Sequence, residues 1–119
     1  MYLMDAVDKL KENGIAVDLD SLAAIANSYS IVEIAVFGSS IRRDMDADSD
    51  VDLLVTFSEG ASISLFDLMD VEDRLSELFG RSVDIVEPGS LSNPIRRRAI
   101  LSSKETLYVE DEAAFFVTG

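Results

Sequence analysis

The chain has 119 residues and a formal net charge of −13, from 23 acids against 10 bases; this size points to one domain with a modest core, and this charge sets it against general binding of phosphate backbones. It contains neither cysteine nor histidine, which excludes disulfides and thiolate or imidazole metal sites, fits a reducing cytoplasm, and leaves oxygen ligands and hard cations such as Mg²⁺. No apolar run approaches the ~20 residues of a membrane span, and "MYLMDAVDKLKENG" lacks the layout of a signal peptide.

Leu3, Met4, Val7 and Leu10 recur at helical spacing, and Asn13-Gly14 reads as a stop. Asp18 or Asp20 caps a second helix with Leu22, Ile25 and Ala26 inward, ended by Tyr29 and Ser30. The β-branched, apolar run "IVEIAVF", Ile31 to Phe37, predicts a strand. Gly38 breaks it, and a short helix is expected from Ser39 to about Arg43. "VDLLVTF", Val51 to Phe57, is a second strand, and Glu59-Gly60 begins a loop. Ser64 and Asp67 have the spacing of a capping box. Behind them Leu65, Leu68, Met69, Leu75, Leu78 and Phe79 form an apolar stripe, and Gly80 suits the position after the helix end. "SVDIVE" is a short third strand. Asn93-Pro94 opens a last helix whose inner side is read as Ile95, Ala99, Ile100 and Leu101. "TLYVE" closes the pattern as an edge strand. The two adjacent phenylalanines of the tail "DEAAFFVTG" are expected to dock on this domain or on a partner. Helices alternating with strands predict an α/β (α+β) fold: one domain over 1–119, with a small mixed sheet flanked by helices.

The chemistry concentrates in "FGSSIRRDMDADSDVDLLV", Phe37 to Val55. Residues two apart on a strand share a face, so Asp50 and Asp52 project together while Val51 and Leu53 face the other way. Asp84 lies among apolar β-formers in "VDIV", where an acid is costly unless paired or metal-bound. If the third strand neighbours the second, Asp84 faces the same cleft. Three carboxylates without histidine then suit two Mg²⁺ ions bridging the incoming and leaving oxygens of a phosphoryl or nucleotidyl displacement. Gly38-Ser39, between a strand and a helix, lets backbone N–H groups approach a triphosphate. Ser39 adds a hydroxyl, and Arg42 and Arg43 follow within about one helical turn. Taken singly, each feature has a plainer reading: a solvated acid pair, an ordinary turn, an edge-strand acid facing water. Arg96, Arg97 and Arg98 read as an exposed helical face.

The order of these features resembles the signature of the minimal nucleotidyltransferases (MNT) of the DNA polymerase β-like superfamily. Gly38-Ser39, ten residues, then Asp50-Val51-Asp52 follow the family's spacing, and "SLFDLMDVEDRLSELFGRSVDIV" resembles its helix and third catalytic strand. The resemblance covers roughly 31–108. It implies the polymerase β-like nucleotidyltransferase fold, with triphosphate binding at Gly38 and Ser39; Ser40, Arg42 and Arg43 of the same segment are read as further nucleotide-binding residues. It implies Mg²⁺ held by Asp50, Asp52 and Asp84, and a catalytic part for Asp84 in deprotonating the attacking hydroxyl. ATP is the family's usual substrate. Many relatives have "GSRARG" where this chain has "GSSIRR", so Ser40 stands for an arginine and Arg43 for a glycine.

The resemblance further implies a HEPN-domain toxin as partner and transfer of AMP to a toxin tyrosine by an antitoxin, with homo- or hetero-oligomerisation left open. The acidity of the chain suits a basic partner. Two alternatives remain at this point. One is an antitoxin that neutralises by binding alone, motivated by the altered "SSIRR" segment; the other is the catalytic subunit of a split small-molecule nucleotidyltransferase.

Overall fold

The structure, a computed structural model, describes residues 6–41 and 49–110, with the backbone alone at Ser39 and Ser40. Leu3, Met4, Arg42, Arg43 and the tail 111–119 lie outside the described residues. Four helices, α1 (Ala6–Glu12), α2 (Leu19–Ser28), α3 (Leu65–Phe79) and α4 (Pro94–Ser103), accompany four strands. The strands are β1 (Ile31–Phe37), β2 (Val51–Phe57), β3 (Val83–Val86) and β4 (Glu105–Val109), and single 3₁₀ turns cover Gly38–Ile41 and Pro88–Ser90.

Local chemistry sets most of the boundaries. The Asp18 carboxylate accepts from the Asp20 N–H at 3.1 Å and from the Ser21 hydroxyl at 2.9 Å, so Asp18 is the cap of α2 and Asp20 sits in its first turn. Ser64 and Asp67 form the reciprocal capping box of α3: the Ser64 hydroxyl accepts from the Asp67 N–H at 3.1 Å, and the Asp67 carboxylate accepts from the Ser64 N–H at 3.0 Å. Gly80, at φ 75°, closes that helix in the left-handed region. The Asn93 side chain accepts from the N–H groups of Ile95 and Arg96, with Pro94 in the first turn of α4.

The sheet has the order β3-β2-β1-β4. β1 pairs antiparallel with β2 and with β4, while β2 and β3 run parallel. That parallel pair needs a crossover, which α3 supplies. The period-two alternation of the strands splits the interior in two. Ile34, Val36, Val51, Leu53, Val55 and Val83 face α1, α2 and α3, meeting Leu10, Leu22, Val71 and Leu75 in the main core. Ala35, Phe37 and Leu54 face the other way and meet Leu91, Ile100 and Val86 in a smaller cluster. Asp52 and Asp84 share parity with Leu54 and Val86, so they belong to this second, thinly covered face.

Two expectations about helix faces are corrected. Leu65 and Met69 of the α3 stripe are exposed, and the buried side of the helix is Val71, Leu75 and Phe79. The main core takes Val71, Leu75 and Phe79 from this helix and neither Leu65 nor Met69, so α3 is anchored from its middle to its C-terminal end. On α4 only Ile100 is buried; Ala99 is exposed, Ile95 is 81% exposed and Leu101 37%. α4 contributes Ile100 to the small second cluster, and its other apolar residues lie outside that cluster and are exposed. Among the described residues, no helix is long and apolar enough to cross a membrane.

Candidate active site

Of the residues singled out from the sequence, Gly38, Asp50, Asp52 and Asp84 lie at one end of the sheet. β1 ends there at Phe37, which pairs with Asp52 at the start of β2. The next residue, Gly38, has φ 67°, a conformation that costs an L-residue roughly 1–2 kcal/mol. A Cβ at Gly38 would also fall 2.6 Å from Asp52 Oδ2, closer than real contacts allow. Two features therefore favour glycine: the backbone turns left-handed, and a side chain here would force the Asp52 carboxylate to shift. The chain then makes one 3₁₀ turn, Gly38–Ile41, which carries the backbone of Ser39 and Ser40. The expected helix from Ser39 to about Arg43 can be followed only as far as Ile41. Arg42 and Arg43 lie outside the described residues.

β3 lies beside β2 as the carboxylate set requires, and Asp52 is in direct register with Asp84. Adjacent strands stand about 4.8 Å apart, and residues in register on a parallel pair project from the same face. The two carboxylates thus sit side by side next to the Gly38 turn. Asp84 is exposed, not enclosed as its apolar neighbours suggested. β3 is an edge strand, and the second face gains its cover further along, at Leu54 and Val86. The edge-strand reading of Asp84 therefore holds, and its register with Asp52 keeps it beside the Gly38 turn. Asp50 lies just before β2 and is also exposed. Among the described residues, no group of three or more carboxylates closes to distances that would hold a metal ion.

The donor set nonetheless suits a hard divalent cation. All its donors are carboxylate oxygens: Asp52 and Asp84 are held in register by the strand ladder, and Asp50 precedes Asp52 by two residues. The site includes one residue that periodicity could not point to, Arg81. Its Nη1 donates to the Ser49 carbonyl at 3.2 Å, directly before Asp50. One residue further on, the Val51 N–H donates to the Ser82 carbonyl at 2.9 Å. The only local signal was a cation directly after the helix-ending glycine; its target lies 32 residues back in the chain.

The comparisons with known proteins bear on the family and the fold. Residues 19–107 match the family model described as a nucleotidyltransferase domain. The protein adenylyltransferase MntA of Thermococcus cleftensis is 38% identical over 68% of this chain and 77% of its own. A solved minimal nucleotidyltransferase is 31% identical, covers 87% of this chain and 97% of its own, and superposes with a TM-score of 0.62. Two toxin–antitoxin complexes share the fold at lower identity. One, crystallised with AMP-PNP, is 15% identical with a TM-score of 0.62, over 82% of this chain and 77% of that one. The other is a tri-AMPylated Shewanella oneidensis HEPN toxin in complex with MNT antitoxin, 14% identical with a TM-score of 0.54, over 82% and 75%. With the Gly-Ser turn, the in-register carboxylates and the mixed sheet in place, the chain belongs to the nucleotidyltransferase family, as a minimal nucleotidyltransferase.

Proposed function

We propose that this nucleotidyltransferase moves AMP from ATP to a protein hydroxyl, the tyrosine of a HEPN-domain toxin, in a Mg²⁺-dependent reaction, and so acts as an antitoxin. The observation that carries this reading is the pairing of Asp52 with Asp84 beside a glycine whose missing side chain leaves room for the Asp52 carboxylate. A relative 38% identical is named a protein adenylyltransferase, and complexes of the same fold contain a HEPN toxin or an ATP analogue.

In this reading the turn at Gly38, Ser39 and Ser40 receives the triphosphate, with Arg42 and Arg43 assigned to its outer oxygens. Asp84 accepts the proton of the acceptor hydroxyl, whose oxygen attacks the α-phosphorus. The bond from that phosphorus to the bridging β-phosphate oxygen breaks, and pyrophosphate leaves with the electron pair. Asp50, Asp52 and Asp84 would hold Mg²⁺, two ions on the family pattern, which supplies charge stabilisation for the phosphoryl oxygens. The exposure of Asp84 suits an acceptor delivered on the surface of another protein. An ATP-consuming reaction and a cysteine-free chain both fit a cytoplasmic setting.

The test is incubation with labelled ATP, Mg²⁺ and the purified HEPN-domain partner, followed by mass spectrometry of the product. AMP on a partner tyrosine is expected, with Asp52→Asn slowing transfer by at least about 100-fold. Undiminished transfer by that variant would end the assignment. The open arrangement of the carboxylates favours a second reading, neutralisation by binding alone. In that case Asp52→Asn would protect cells from the toxin as well as the parent does.

A further inference from the structure

We infer that Arg81 is a positioning residue, which sets where the backbone enters β2 and so aims Asp50 at the cation site. This inference rests on the metal role proposed for Asp50. Gly80, Arg81 and Ser82 form the connection between α3 and β3. The left-handed Gly80 turns the chain out of the helix, and its N–H donates to the Ser76 carbonyl at 2.9 Å. From that anchored connection, two hydrogen bonds reach across to β2. Arg81 Nη1 donates to the Ser49 carbonyl, and the Ser82 carbonyl accepts from the Val51 N–H. They grip the residues on either side of Asp50.

The three acids differ in what fixes them. Asp52 and Asp84 lie inside strands, in register with each other. Asp50 lies one residue outside β2 and is exposed. Its direction depends on the peptides before and after it. The peptide after it is tied by main chain to main chain, a bond any sequence could make. The peptide before it is tied by the half-buried Arg81 side chain, which makes that tie a property of this residue.

The sign of the effect separates positioning from charge. If Arg81 acted on the site only through its positive charge, removing it would tighten cation binding, because like charges repel. If it acts by holding Ser49, removing it weakens cation binding, because Asp50 loses its direction. Supporting groups around metal ligands are typically worth 10–100-fold in affinity.

The experiment is titration of the full chain with Mn²⁺ in saturating α,β-methylene-ATP, with free Mn²⁺ measured by electron paramagnetic resonance, so that no turnover is needed. Arg81→Met keeps most of the aliphatic stem and removes the donors. It is expected to weaken Mn²⁺ binding by about 10-fold, and Arg81→Lys, which restores a donor and the charge, is expected to recover much of that loss. Circular dichroism checks folding. Should Arg81→Met fail to fold, Arg81→Leu, which likewise has no donor, serves in its place, with weakened binding again expected. Unchanged or tighter binding by a folded Met or Leu variant overturns the inference. Asp50→Ala distinguishes the two levels. If it weakens binding while the Arg81 variants do not, the positioning role alone falls. If Asp50→Ala binds as the parent does, or the parent binds no Mn²⁺, the proposed metal role of Asp50 falls and the inference falls with it.

Discussion

At Gly38 an added methyl group would strain the turn and displace its neighbour Asp52. The residue is left-handed, and the position its Cβ would take lies within 2.6 Å of Asp52 Oδ2. Gly38→Ala therefore meets two separate penalties. The backbone term alone is about 1–2 kcal/mol, and the clash adds to it by pushing either the turn or the Asp52 carboxylate away. The variant is expected to melt several degrees lower and to transfer AMP much more slowly, read from a thermal melt and an initial rate. A parent-like melt together with a parent-like rate would show that the turn relaxes freely. The glycine was legible in the sequence as a strand-breaking Gly-Ser pair, but its need for space beside Asp52 was not. That need arises from the pairing of Phe37 with Asp52, which brings the end of β1 onto the start of β2.

Helices here were easier to locate than to orient. The capping box of Ser64 and Asp67 and the glycine at position 80 are local patterns, and both ends of α3 follow them. Which apolar residues the helix buries depends on what lies beneath, and Leu65, Phe66 and Met69 are exposed. α4 is the stronger case: of four apolar residues read as its inner side, Ile100 alone is buried. The same geometry makes the cap of α3 separable from the chemistry. β2 leads away from Asp52, so the first turn of α3 lies at the opposite end of the sheet from the carboxylates. Ser64→Ala is expected to cost about 1 kcal/mol and to lower the melting temperature by about 4 °C. Nucleotide binding should stay at the parent level, checked by calorimetry with a non-hydrolysable ATP analogue. A loss of affinity would mean that the cap and the site are coupled through the helix.

Across the whole molecule, electrostatics is dominated by the excess of 13 negative charges. Ion pairs such as Lys104–Glu33 and Lys9–Glu105 join β1 to the end of α4, and α1 to β4. Partly exposed pairs of this kind contribute roughly 0–1 kcal/mol each, and salt weakens them. Salt also screens the repulsion among the unbalanced acids, and with this imbalance the second effect wins. The melting temperature is expected to rise as NaCl increases from low salt to 0.5 M in metal-free buffer. A fall would mean that the ion pairs matter more than the net charge.

The amino-acid order alone determined the elements, their caps and the ten-residue spacing from the Gly-Ser pair to Asp50 and Asp52, because backbone preference and side-chain periodicity act over a few neighbouring residues. Only the tertiary structure decided that β3 lies beside β2 with Asp84 opposite Asp52, that Asp84 stands at an open edge, and that Arg81 reaches back to Ser49. Those are contacts between segments some 30 residues apart, fixed by strand register and by the α3 crossover that packs the main core, and no local pattern encodes them.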